Sequence, residues 1–163
     1  MVGSGVVAAL VSQRYVNQRA ELEFLRRKLE ELYSTVNWFS VSQQAYYTKK
    51  QPQWTLPNLI DISQSKDAVE QRYKDFGTIV MLVNLYFRDA IPYMENLSNA
   101  HKDLSKLYGE LNLNPQREFQ AGDSLALSLN TALERFETVR RVFLEYLGTT
   151  YAHRLSKVRF FRR

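Results

Sequence analysis

The sequence of 163 residues contains no cysteine, six glycines and four prolines. Without cysteine, disulfides and thiolate metal sites are excluded. The scarcity of glycine and proline leaves few turns, which disfavours an all-β fold. A membrane-spanning helix needs about 20 apolar residues, whereas the apolar run GVVAALV occupies only residues 5–11. The length suits a single domain, 1–163, with a core large enough to need no covalent crosslink.

Catalytic motifs are missing from the sequence as well. Neither His101 nor His153 has a glutamate three residues before it, as the helical di-iron sites require, and HExxH, the phosphate-binding loop and G-x-S-x-G are absent. The sequence therefore predicts a protein that is not an enzyme and that holds no cofactor or metal. His101 is interpreted as a hydrogen-bonded histidine of the core.

Positive charge is concentrated at the C-terminal end of the chain. Residues 1–50 carry a net charge of +3, residues 51–150 carry −3, and residues 151–163 carry five cations and no acid. A broad basic face is therefore disfavoured, and the basic tail 151–163 is the candidate binding segment for a protein, for lipid or for nucleic acid. Its candidate residues are Arg154, Lys157, Arg159, Phe160, Phe161, Arg162 and Arg163.

Apolar residues recur with alternating spacings of four and three over residues 69–111, which predicts long helices packed side by side. The stripe consists of Val69, Tyr73, Phe76, Val80, Val83, Phe87, Ala90, Met94, Leu97, His101, Leu104, Tyr108 and Leu111. Pro92 lies within it, and a proline inside a helix costs about 3 kcal/mol. Because the spacing does not slip at Pro92, we expect one helix kinked there. The alternative is a break that gives four helices.

Two further helices are predicted on either side of this stripe. The first covers about residues 5–49, with its own seam of Leu22, Leu25, Leu29, Leu32, Val36, Phe39, Gln43 and Tyr46. The last begins at Pro115 or, if Gly122 interrupts it, at Asp123. Its seam is Leu125, Leu129, Ala132, Phe136, Val139, Phe143 and Tyr146, followed beyond Gly148 by Tyr151, Leu155 and Val158. The predicted fold is all-α, an up-down antiparallel bundle of three long helices, with a four-helix bundle as the alternative.

The connection 51–64 contains two prolines and many apolar residues. We interpret it as a loop that covers the end of the bundle, with Ser63 or Ser65 capping the next helix. The alternative is an exposed epitope for a partner, consisting of Trp54, Leu56, Leu59 and Ile60.

The N-terminal segment 1–20 has two interpretations. Residues 5–11 are small and apolar, and arginines follow them at positions 14, 19, 26 and 27. The segment is either the frayed start of the first helix or the cytoplasmic end of a membrane anchor cut short at Met1, because basic residues flank single-pass helices on the cytoplasmic side.

Three stretches resemble a broad group of uncharacterised bacterial proteins: RRKLEELY at 26–33, VNLYFRDAIPYMENLSNA at 83–100 and TALERFETVRRVFLEYL at 131–147. The resemblance implies an N-terminal membrane anchor followed by a cytoplasmic helical bundle, and it implies no reaction.

These observations predict a non-enzymatic interaction or scaffold protein in the cytoplasm, at the cytoplasmic face of the inner membrane. Its predicted partners are another protein and, through the N-terminus, the membrane, and a homo-oligomer is compatible with the long seams. The alternative function is binding of nucleic acid by the basic tail, which the absence of a supporting basic face disfavours.

Overall fold

The computed structural model describes residues 3–48, 66–112, 124–151 and 153. Every described residue except Phe87 is helical, which confirms the all-α fold class. The described residues form the α-helices α1 (Gly3–Thr48), α2 (Lys66–Tyr86), α3 (Ile91–Asn112) and α4 (Ser124–Tyr146). A 3₁₀ turn (Arg88–Ala90) joins α2 to α3, and a π-helical turn (Leu147–Tyr151) extends α4. The predicted loop 51–64, its capping serines and the start at Pro115 lie outside the described residues.

The seam predicted for α1 is confirmed by burial. Leu29, Leu32, Val36, Phe39 and Gln43 are buried, and Leu22, Leu25 and Tyr46 at its ends are half-buried. The 3.6-residue period of the helix places these side chains on one face, where they pack against the other helices. Before Leu22, every described side chain of α1, from residue 12 to residue 21, is exposed. The N-terminal part of α1 therefore projects beyond the bundle.

The prediction of a single helix kinked at Pro92 is wrong. Helix α2 ends at Tyr86, and Phe87 leaves the helical conformation with φ −132° and ψ 50°. The amide of Ala90 donates to the carbonyl oxygen of Phe87 at 2.7 Å, which closes the turn. Pro92 is the second residue of α3. A proline is tolerated there because the first-turn amides of a helix have no partner within the helix.

Helices α2 and α3 run antiparallel beside each other. The rings of Phe76 and His101 stack with their centroids 6.4 Å apart. In one continuous helix these residues would be separated by about 37 Å, since each residue advances about 1.5 Å. The chain therefore reverses direction at Phe87–Ala90.

The register predicted within α2 is partly wrong. Tyr73 is 75% exposed, whereas Ile79 and Leu82, outside the predicted stripe, are completely buried. The buried face of α2 begins with Arg72 and Asp75. Charged residues are rarely buried, so the sequence pattern selected their apolar neighbours Tyr73 and Phe76 instead. The predicted stripe therefore lies one position towards the C-terminus from the observed buried face.

Helix α4 closes the bundle and runs antiparallel to both α1 and α3. Arg140 donates to the side-chain oxygen of Asn37 in α1 at 2.7 Å, and Arg135 forms an ion pair with Asp103 in α3 at 2.7 Å. The predicted seam of α4 is confirmed from Leu129 onwards, with Leu129, Ala132, Phe136 and Phe143 buried and Val139 and Tyr146 half-buried. The side chain of Leu125, at its start, lies outside the described part. The ring of Phe136 meets that of Phe39 at 6.4 Å between centroids, at the centre of the core.

Candidate functional site

None of the predicted binding residues lies in the described part of the chain. The tail residues from Arg154 to Arg163 and the loop residues Trp54, Leu56, Leu59 and Ile60 are all outside it. The structure does describe Tyr151, the first residue of the basic tail 151–163. The place where the chain enters the tail is set by the contacts of Tyr151 and by the direction of α4.

A chain of aromatic contacts fixes the end of α4 beside α1. The ring of Phe24 in α1 meets Tyr86 at 5.5 Å, Tyr86 meets Phe87 at 6.3 Å, and Phe87 meets Tyr151 at 5.0 Å. The tail therefore begins at the end of the bundle from which the N-terminal part of α1 projects. We call this the stalk end.

The π-helical turn keeps the last described residues of this region against the bundle. Phe143, Leu147 and Tyr151 are all buried, at a spacing of four residues. Leu147 and Tyr151 are the first and last residues of this turn, so the turn ends on a buried side chain. The prediction that Tyr151 continues the seam beyond Gly148 is confirmed, and Leu155 and Val158 lie outside the described residues.

The stalk end carries exposed basic residues. Arg19 and Arg26 form ion pairs with Glu23 and Glu30 at 3.0 and 3.2 Å, all with exposed side chains. Lys28 bonds to Glu31 at 2.6 Å, and this hydrogen bond raises the pKa of the lysine. The exposed pairs of Arg19 and Arg26 contribute little to stability, so these two arginines are available to a negatively charged surface nearby.

The N-terminal part of α1 is apolar without being long enough to span a bilayer. Among the described helices, none combines the length and the hydropathy that crossing a membrane requires. Tyr15 and Val16 are nevertheless exposed on the projecting segment. An isolated helix of this length is marginal in water, so contact with another surface would stabilise it.

A polar cluster that sequence reasoning missed occupies the opposite end of the bundle. Arg72 and Asp75 are each only 8% exposed, one turn apart on α2. The Arg72 guanidinium lies 4.3 Å from the ring centroid of Tyr46, and the Tyr47 hydroxyl bonds to Ser105 at 2.8 Å. Burial raises the pKa of Tyr47. The one sequence signal for this cluster is that both charged residues lie in phase with Ile79 and Leu82.

His101 belongs to this cluster and is half-buried among the rings of Phe39, Phe76 and Phe136. Burial, and then the charge of Arg72, lower its pKa below the ordinary value. The imidazole is therefore neutral at pH 7. Its place on the seam agrees with the prediction, but the ring is only half-buried and no hydrogen bond to it is found among the described residues, so a hydrogen-bonded core histidine is not confirmed. In the described ranges, no three acidic, histidine or cysteine side chains are grouped to hold a metal ion.

Comparisons with protein-family models, with curated proteins and with solved structures find no match. The resemblance to anchored bacterial bundle proteins therefore stays a prediction, and function has to be argued from the geometry of the stalk end.

Proposed function

We propose that the chain is a four-helix bundle that binds the cytoplasmic face of a membrane with its stalk end and presents the rest of the bundle to another protein. The observation that carries this proposal is the place where α4 ends. Since Tyr151 is linked through Phe87 and Tyr86 to Phe24, the basic tail starts beside the projecting part of α1.

Two weak membrane signals, one in each terminal segment, can act together. A single apolar segment gives marginal, reversible binding to a bilayer, and stable attachment takes a second signal such as a polybasic patch. The apolar residues 5–11 supply the first signal, and the five cations of residues 154–163 supply the second. Each basic residue near an anionic surface contributes about 1 kcal/mol, and inserted phenylalanine rings add apolar area.

Deletion of residues 154–163 tests this proposal. At low salt, we expect the truncated protein to bind anionic vesicles more weakly than the full chain by a factor of roughly 100 or more, because five charge contacts are lost. Vesicle co-sedimentation measures this directly. Two matched variants separate the contributions. One replaces Arg154, Lys157, Arg159, Arg162 and Arg163 by glutamine, and the other replaces Phe160 and Phe161 by alanine.

The outcome is informative in both directions. Equal binding of the full and truncated chains to anionic vesicles would contradict the proposal.

A mixed-sequence oligonucleotide is the second probe. We expect little binding to it at physiological salt, because five phosphate contacts without a basic face are strongly screened. Tight oligonucleotide binding that is lost on deletion would favour the nucleic-acid alternative instead.

A further inference from the structure

The buried face of α1 continues beyond the level at which the neighbouring helices end. Its seam reaches the half-buried Leu25 and Leu22 at a spacing of three. The next steps of four and three lead to Gln18 and Tyr15, which are exposed. Side chains at these spacings lie on one face of a helix. Residues 12–23, which we call the stalk, therefore extend the core-facing stripe of α1 into solvent.

The chain is again helical after the π-helical turn that follows α4. Tyr151, the last residue of that turn, is buried, and His153 is α-helical. In the sequence, Leu155 and Val158 follow Tyr151 at spacings of four and three, which continues an apolar stripe of helical period. A helix over residues 152–163 has a length of about 18 Å, at about 1.5 Å per residue.

The contacts within the bundle give the level at which these residues meet the stalk. Helices α1 and α4 run antiparallel, and Arg140 donates a hydrogen bond to Asn37. Leu22 precedes Asn37 by fifteen residues, and Leu155 follows Arg140 by the same number. In an antiparallel pair the two leucines therefore lie at the same level, and each continues a stripe that is buried inside the bundle.

We propose that residues 152–163 dock as a helix on the stalk and cover its exposed stripe. Leu155 and Val158 then pack against Leu22 and the seam residues before it, which removes apolar area on both segments from water. A short helix is marginal alone in water and is stabilised mainly by packing of its apolar face. The docked pair thus stabilises the projecting part of α1 and the segment beyond Tyr151 together.

The attachment at Tyr151 favours the chain's own segment over a second copy. The ring of Tyr151 is held at the stalk end by Phe87, with 5.0 Å between the ring centroids, so residues 152–163 begin beside the stalk. A segment tethered over so short a distance meets its docking face at an effective concentration in the millimolar range. A separate chain reaches such a concentration only in a concentrated protein solution.

Charge favours the same segment. Residues 152–163 carry five cations and no acid, whereas Glu21 and Glu23 flank Leu22 on the stalk. Glu23 is already paired with Arg19 at 3.0 Å, and Glu21 forms no ion pair among the described residues. Attraction of this kind acts over a screening length of about 10 Å and requires no fixed pair. A second stalk would bring the same two acids and would gain nothing from them.

The docked arrangement places both membrane signals at one tip, a step that, unlike the docking itself, rests on the proposed membrane function. In the antiparallel register, Arg162 and Arg163 lie at the levels of Tyr15 and Arg14, next to the apolar residues 5–11. A bilayer takes up an apolar segment and binds cations at its headgroups just outside it. The order of the two signals along the stalk fits that profile.

Cysteine pairs test the docking in the full chain, which has no cysteine of its own. The first pair, Tyr15→Cys with Arg162→Cys, lies seven residues from Leu22 and Leu155, on the two facing stripes and at one level. The control pair, Asn17→Cys with Phe160→Cys, lies at the same level. Each of its positions is two residues away from the first pair, which turns it by about 200° to the outer side of its helix.

The first pair should form a disulfide within one chain under mild oxidation, about ten times faster than the control pair or more. Two cysteines are bridged only when their Cβ atoms approach within about 4.5 Å. Mobility of the monomer on a non-reducing gel, with peptide mass analysis, measures both rates. No lipid is present, so the result does not depend on membrane binding. Equal rates for the two pairs, or disulfides that form only between chains, would overturn the proposal.

A second set of variants tests whether the apolar stripe holds the segment in place. Leu155→Asp with Val158→Asp should slow disulfide formation in the first pair to the rate of the control pair. Phe160→Asp with Phe161→Asp adds the same charge outside the stripe and should have little effect on that rate. Equal effects of the two double variants would show that the tether and charge alone bring the segment near the stalk, and would contradict docking through the stripe.

Discussion

Replacement of Phe136 by alanine is expected to lower the free energy of unfolding by about 3–5 kcal/mol, the usual cost of deleting a large aromatic side chain from a core. Phe136 is 1% exposed, and its ring meets Phe39 in α1 and His101 in α3. Its removal therefore leaves a cavity where three helices converge. Urea denaturation followed by circular dichroism measures the change.

Tyr73→Ala is the matched control for this prediction. Tyr73 is 75% exposed, and substitutions at such positions usually change stability by less than about 0.5 kcal/mol. The two side chains are similar in size and both were placed on seams by the sequence pattern. A larger loss from Tyr73→Ala than from Phe136→Ala would mean that the helices face each other in another register.

The second large effect is expected at the buried charges of α2. Arg72→Met should destabilise the protein by about 2–3 kcal/mol, because it removes a buried guanidinium together with its interactions and takes away a positive charge one turn from the buried Asp75. One carboxylate oxygen, Oδ1, accepts a hydrogen bond from Gln71 at 2.8 Å, and the other, Oδ2, has no hydrogen-bond partner in the described structure. The loss of the guanidinium also removes its contact with the Tyr46 ring.

The double variant Arg72→Met, Asp75→Leu decides whether the two charges act together. If the charge of Arg72 acts mainly on Asp75, removing both buried charges should cost less than removing one of them, so the double variant should recover most of the stability lost in Arg72→Met. A double-mutant cycle by urea denaturation gives the coupling. Additive losses would show that Arg72 and Asp75 stabilise the bundle independently.

Three of the four helices could be derived from the sequence because their buried residues are apolar and regularly spaced. The seams of α1 and α4 were predicted almost residue by residue, and so was the core face of α3 with Leu97, Leu104 and Tyr108. Polar residues such as Gln43 and His101 did not interrupt those seams. Periodicity is sufficient where one face of a helix is uniformly buried.

The turn between α2 and α3 could not be derived in this way. Phe87 and Ala90 are both buried although they belong to the turn. Their spacing of three residues happens to continue the alternation of fours and threes, so the pattern ran through a point where the chain reverses. Pro92 was the correct signal for the break between α2 and α3, since a proline is tolerated in the first turn of a helix and destabilises a helix interior.

The candidate site was predictable in its composition and not in its location. Charge counting identified the basic tail, but which end of the bundle it leaves depends on whether the number of helices before it is odd or even. With the chain reversing at Phe87, α4 runs antiparallel to α1 and the tail begins at the stalk end.

The most direct measurement of the central claim is the distance between spin labels at Arg27 in α1 and Thr149 in the π-helical turn. Both positions are exposed, and a chain without cysteine allows both labels to be introduced without other changes. If α4 ends at the stalk end, the labels lie on neighbouring antiparallel helices at nearly the same level along the bundle. Double electron–electron resonance should then give a distance of about 20 Å, which is the sum of a helix spacing of about 10 Å and the length of the label linkers. A distance of about 40 Å or more would place Thr149 near the far end of α1, and would contradict the account.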